Sequence, residues 1–163
     1  MEEIIVREYQ EKDLPEMTAI WNGVVEDALY FPQTDPMTLE EAREFFASQS
    51  FTGVAVCGDE VVGLYILHPN NIGRCGHICN ASYAVKEGCR GQHIGEKLVR
   101  HCIKMGPERG FRVLQFNAVV CTNAPAIHLY EKIGFTRLGT IPGGYRLKDG
   151  SYTDIYPYCI ELV

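Results

Sequence analysis

The chain has 163 residues, 46% of them hydrophobic, and 15 basic against 21 acidic side chains give a net charge of −6. That length and apolar share predict one domain over residues 1–163 with a substantial core, and the acidic balance argues against binding nucleic acid or an anionic membrane through overall charge. The first residues, MEEIIVREYQEKD, are charged, and no run of about 18 apolar residues occurs, so a soluble, cytoplasmic protein is expected.

EIIVREYQ reads as a strand. DLPEMTAIWNGVVEDAL follows as a helix with Asp13 as its cap, Pro15 in the first turn, and Leu14, Met17, Ile20, Trp21, Val24 and Val25 on one face. FPQTDP breaks the chain, and TLEEAREFF begins a second helix, where Thr38 and Glu41 have the spacing of a capping box. FTGVAVCG and EVVGLYILHP are strands joined as a hairpin around Gly58 and Asp59.

The loop NNIGRCG precedes the apolar strand HICNASYAV. Cys75, His77 and Cys79 alternate here, but no second Cys/His pair completes a tetrahedral set, so no metal is expected. The seven cysteines are odd in number and irregularly spaced, which fits reduced thiols. After a glycine-bearing turn comes a helix with Ile94, Leu98, Val99, Cys102 and Ile103 in helical repeat, then the strand RVLQFNAVV. TNAPAIHLYEKIGF is a shorter helix ended by Gly134, and two strands meeting near KDGS finish the chain. The aromatic tail SYTDIYPYCIEL either completes the sheet or packs on a second subunit, making a homodimer. This order describes an α/β chain with a mixed sheet and helices on both faces.

A ligand is expected where a strand gives way to a helix. CRGQHIG lies at such a start, where the first N–H groups lack intrahelical partners and the helix dipole favours an anion. It is neither a P-loop nor a dinucleotide fingerprint, so spacing alone leaves the phosphate ligand unnamed.

CRGQHIGEKL resembles motif A of the GNAT superfamily of acetyl-CoA-dependent N-acetyltransferases, whose pattern [QR]-x-x-G-x-[GA] binds the CoA pyrophosphate through backbone amides. Arg90 and Gly95 match; His93 stands where the pattern has glycine. TNAPAIHLYEKIGF resembles a second hallmark of that family, N-x-x-A-x-x-x-Y-x-x-x-G-F, with Asn123, Ala126, Tyr130, Gly134 and Phe135 in place. The resemblance implies a mixed, mostly antiparallel sheet of about seven strands with a splayed central strand. It also implies acetyl-CoA as co-substrate, with Arg90, Gly91, Gln92, His93, Ile94, Gly95 and Glu96 around the pyrophosphate. Tyr83, Ala84 and Val85 would lie along pantetheine, and Asn123, Ala126 and Tyr130 beside the CoA arm. Tyr130 would protonate the departing thiolate, its alternative being packing alone. Histidine tolerates a left-handed backbone better than a β-branched residue, so His93 can sit in this turn with its side chain outward.

Many members of that family carry a glutamate base on the splayed strand, but HICNASYAV has no carboxylate. Glu26, Asp27 and Asp35 are candidates that spacing does not separate. Asn80 and Asn117 each interrupt an apolar strand, and an amide on each of two neighbouring strands could meet at the cleft, orienting the substrate or steadying an oxyanion. With IPGGYRLKDG, they resemble the branch that acetylates proline analogues such as azetidine-2-carboxylate. The expected reaction is acetyl transfer to a small amine whose pocket is shaped by YFPQTDP and IPGGYRLKDG. A protein or peptide acetyltransferase and a CoA-binding sensor are the alternatives.

Overall fold

The computed structural model describes residues 2–89 and 91–163. Among these, eight strands and four α-helices form one sheet with helices on both faces. The strands are β1 (Ile4–Glu8), β2 (Phe51–Cys57), β3 (Glu60–Pro69), β4 (Ile78–Val85), β5 (Val113–Val120), β6 (Thr136–Arg137), β7 (Ile141–Arg146) and β8 (Tyr152–Glu161). The helices are α1 (Leu14–Asp27), α2 (Leu39–Ala47), α3 (Ile94–Glu108) and α4 (Ala124–Ile133). The short β6 is the strand beyond the expected seven. The sheet runs β1-β2-β3-β4-β5-β8-β6, with β7 also on β8, so the aromatic tail does complete the sheet.

Alternation along β2 and β3 sorts their apolar side chains to two cores. Ala55, Val62 and Tyr65 face α3, whose Ile94, Leu98, Val99 and Cys102 are buried against them. Val54, Val61, Leu64 and Ile66 face α1, which contributes Leu14, Met17, Ile20, Trp21 and Val25. Each fully buried aliphatic side chain contributes about 1.5–3 kcal/mol, so these stripes hold both helices on the sheet. At Gly63 an added Cβ would lie 2.9 Å from Ile94 Cγ2 and 3.1 Å from the Ala84 carbonyl. Its bareness lets the first turn of α3 sit directly on β3.

The capping box of α2 forms as its spacing predicts: Glu41 N–H donates to Thr38 Oγ1, and Thr38 N–H donates to Glu41 Oε1, each at 3.1 Å. At the start of α1 the structure corrects the sequence. Asp13 stands at the N-cap position but makes no cap bond to the helix. Its buried carboxylate accepts from Arg7 Nη1 at 2.8 Å, Arg7 Nη2 at 3.1 Å and the Gln10 N–H at 2.8 Å. A 3₁₀ turn over Glu11–Asp13 makes this geometry possible, so the residue ties β1 to the helix start. The helix also ends earlier than its apolar pattern suggests, because Ala28 adopts a left-handed conformation with φ 53°. No helix among the described residues is long and apolar enough to cross a membrane.

β4 and β5, the two central strands, pair in parallel through only Ile78 with Val113 and Cys79 with Leu114. Beyond these two rungs they diverge, while β4 stays paired to β3 as far as Val85. The sheet therefore opens into a wedge, and the site is assembled around it.

Candidate functional site

One side of the wedge is a strand edge. β3 pairs with β4 at Tyr65–Tyr83, Leu64–Ala84 and Gly63–Val85, and no ladder to β5 continues past Cys79, so this stretch presents backbone groups toward the gap. An extended amide-bearing arm can pair there as an added strand does. Tyr83 turns its ring toward α3, within 5.8 Å of Tyr65 and 5.7 Å of Phe116. Its hydroxyl is buried without a hydrogen-bond partner among the described residues. Burial first, and the nearby Cys102 and Tyr130 next, hold this phenol far above its ordinary range.

Below the wedge, β4 turns into α3. Arg90 lies outside the described residues. Gly91 has φ 84°, a conformation that disfavours a side chain. His93 occupies the left-handed region at φ 57°, ψ 27°, and its side chain makes no cap bond to α3. Among the described residues, no side chain competes for the first-turn N–H groups that follow, from Ile94 through Gly95 and Glu96. This positive helix end can take a pyrophosphate through backbone donors. Gln92 and His93 are exposed, whereas Ile94 is buried and anchors the turn. The Glu96 carboxylate accepts from Lys132 at 2.8 Å and Arg100 at 3.1 Å. These two cations, Lys132 foremost, lower its pKa to about 2 and offset an acid that would otherwise repel phosphate.

α4 closes the opposite side. Asn123 Oδ1 accepts from the Ala126 N–H at 3.4 Å, so its amide caps this helix, and Gly134 ends it at φ 117°. Tyr130, partly buried, packs its ring 4.5 Å from Phe116 and 5.5 Å from Phe135. Burial, aided by the Cys102 thiol, keeps its phenol protonated above its ordinary range. Tyr83, Phe116 and Tyr130 thus form an aromatic bridge from β4 to α4 across the wedge.

The other face of the wedge carries amides. Asn80 Nδ2 donates to the Gln115 carbonyl at 2.8 Å, satisfying a backbone acceptor just past the last rung of the β4–β5 ladder. Asn117 Nδ2 donates to Asn70 Oδ1 at 2.7 Å, while Asn117 Oδ1 accepts from Asn70 Nδ2 at 3.2 Å and Gln115 Nε2 at 3.1 Å. The two asparagines singled out from the sequence are not bonded to each other; Gln115 stands between them. Asn117 is exposed rather than buried: it follows the alternation of Val113 and Gln115, out of phase with buried Leu114 and Phe116. Asn70 and Gln115 are not marked by the sequence, since a loop asparagine and an alternating glutamine look ordinary there.

A cavity of about 970 Å3 is walled on one side by Glu26, Phe31, Pro32, Gln33 and Thr34 and on the other by Tyr145 to Lys148 and Tyr152. Of the three candidate bases, only Glu26 lines it. Tyr145 packs with Val120 and Ile155, and Tyr30 and Ala118 lie against this cluster, bringing the cavity beside the strand segment that bears Asn117. No three His, Cys, Asp or Glu side chains among the described residues are grouped to hold a metal. Cys79 is buried, its thiol donating to the Val113 carbonyl at 3.3 Å, and burial raises its pKa to about 12.

Residues 11–135 match the model of the Acetyltransferase (GNAT) family. The "N-acetyltransferase aca1" of Schizosaccharomyces pombe is 31% identical over 91% of this chain and 80% of its own. A GCN5-related N-acetyltransferase from Kribbella flavida superposes with a TM-score of 0.88 at 30% identity, covering 97% of both chains. A phosphinothricin acetyltransferase from Sinorhizobium meliloti, solved with acetyl-CoA, gives 0.88 over 97% of this chain and 88% of its own; at 18% identity that likeness is one of fold. An open strand edge, an uncapped helix start and these matches agree: the chain belongs to the GNAT family and is an acetyl-CoA-dependent N-acetyltransferase.

Proposed function

We propose that the enzyme acetylates the amine of a small, amino-acid-like acceptor by direct attack within a ternary complex. The observation that carries this reading is the neutral amide cluster of Asn70, Asn80, Gln115 and Asn117 on the open face of the wedge. Amides orient a polar acceptor through donors and acceptors but take no proton. A site with a neutral cluster and no base on β4 therefore suits an acceptor held through its own polar groups, its amine proton passing to water.

Acetyl-CoA supplies the acyl group as a thioester. The β4 edge from Tyr83 to Val85 and the N–H groups opening α3, with Gly91 and His93 leading in, hold and aim it. Asn123 and Ala126 border the arm. Asn80 and Asn117 orient the acceptor so that its nitrogen forms the new C–N bond as the C–S bond breaks. The amine proton leaves to water, and the Tyr130 hydroxyl, kept protonated by burial, donates a proton to the departing thiolate and regains one from solvent. The resemblance of Asn80, Asn117 and IPGGYRLKDG to the proline-analogue branch supports an amino-acid acceptor.

The test is a thiol-release screen with acetyl-CoA against free amino acids, azetidine-2-carboxylate, phosphinothricin, polyamines and peptides. Turnover fastest with a free amino acid or proline analogue is expected. Transfer confined to peptides would assign the enzyme to polypeptide acceptors. Acetyl-CoA binding without thiol release from any amine would overturn the proposed catalytic role.

A further inference from the structure

The connection between α1 and α2 is held at two points by different parts of the chain. At Met37 the anchor is local: Asn22 Nδ2 donates to the Met37 carbonyl and the Met37 N–H donates to Asn22 Oδ1, both at 2.8 Å. At Phe31 it is remote. The Phe31 ring is buried against Trp21, centroids 4.6 Å apart, while its carbonyl accepts a 2.7 Å hydrogen bond from the Tyr145 hydroxyl on β7. Lys148 adds a longer contact, 3.4 Å, from the same hairpin to the Glu26 carbonyl near the end of α1. Between the two anchors, residues 32–36 are exposed, and three of them wall the cavity opposite Tyr145 itself.

Ring packing is non-directional and lets a residue slide, whereas a buried hydrogen bond fixes both distance and orientation. The Tyr145 hydroxyl is thus the short, buried tie between the two walls, the Lys148 contact being longer and exposed. We propose that Tyr145 is a positioning residue for the acceptor: its hydroxyl sets the gap between the α1–α2 connection and the β7–β8 hairpin, and so selects which amines fit, while leaving acetyl-CoA binding alone. This inference rests on the reading that the cavity receives the acceptor.

Tyr145→Phe keeps the ring and deletes only the tie. With the amine turned over fastest in the screen, its KM should rise about tenfold, while the acetyl-CoA KM stays within about twofold. Amide hydrogen exchange should quicken over residues 30–36 and stay unchanged along α1. Azetidine-2-carboxylate binding, followed by the fluorescence of Trp21, the sole tryptophan, should weaken in parallel. Thr34→Trp, which narrows the cavity mouth, separates the two levels of the argument. If Thr34→Trp leaves the acceptor KM unchanged, the acceptor sits elsewhere and the reading of the cavity falls. If Thr34→Trp raises that KM but Tyr145→Phe does not, the inference about Tyr145 is overturned. Equal rises in both KM values with a lowered Tm would reduce Tyr145 to packing and overturn it as well.

Discussion

The proposed cofactor and acceptor sides of the wedge are built in opposite ways. The first is backbone: an unpaired strand edge, an uncapped helix start, and a turn in which Gly91 and His93 take positive φ. The second is side chains drawn from distant segments, with Asn70 meeting Asn117 across 47 residues and Tyr145 meeting Phe31 across 114. Backbone recognition tolerates substitution provided φ and ψ survive; side-chain recognition changes with each residue. A family can therefore keep one co-substrate while its acceptors diverge.

Mutations can break or sharpen that contrast. Tyr130→Phe removes the proposed thiolate acid, and kcat should fall about a hundredfold with little change in either KM, the range expected for a positioned proton donor. Steady-state kinetics at saturating acetyl-CoA check this, and an unchanged kcat would leave Tyr130 a packing residue. Asn117→Ala dismantles three amide contacts on the acceptor side. A loss of about 1–2 kcal/mol, about five- to thirtyfold in kcat/KM for the amine, is expected with acetyl-CoA affinity intact.

On the cofactor side the side chain should matter less than the conformation. His93→Gly should leave acetyl-CoA affinity within about threefold, while His93→Val, β-branched at φ 57°, should weaken it about tenfold. Calorimetric titration of both variants decides it, and a large loss in the glycine variant would make the imidazole itself a ligand. The smallest effect belongs to neither side. Tyr65 hydroxyl and His101 Nδ1 lie 2.8 Å apart beneath α3. Burial, then Lys104, lowers the His101 pKa, so folding favours the neutral ring. That contribution is present above about pH 6.5 and is lost as pH falls toward the folded-state value. After solvent screening it amounts to no more than about 1 kcal/mol. In thermal melts from pH 8 to 5, His101→Gln should flatten the decline without changing either KM.

Features encoded within a few residues were legible in the sequence. Thr38 and Glu41 formed their box, Gly134 ended α4, Gly58 turned the hairpin, and the buried faces of α1 and α3 followed their apolar repeats. Asp13 misled because its carboxylate has two local options, a cap or a strand arginine, and the nearby Arg7 won. Asn117 interrupts an apolar run in the sequence, whereas alternation along β5 leaves it exposed on the same side as Gln115. Asn70 and Gln115 were missed for a common reason: each acquires meaning only from a partner that the fold brings to it. The two-rung seam between β4 and β5 was implied by family resemblance, since both strands read as ordinary apolar runs.

That seam has a further consequence for how the molecule holds together. Antiparallel pairing from β1 through β4 and among β5 to β8 knits two blocks, and among the described residues the sheet ladder joins them by only the two β4–β5 rungs, with side-chain bonds from Cys79 to Val113 and Asn80 to Gln115 beside them. Amides along this join should exchange before those in the β2–β3 ladder, with the blocks loosening before either melts. An acyl donor lying along the β4 edge would then act as a temporary ninth strand, fastening the halves together. The enzyme should be mechanically stiffest when loaded, and a stretched single molecule should yield first at the seam.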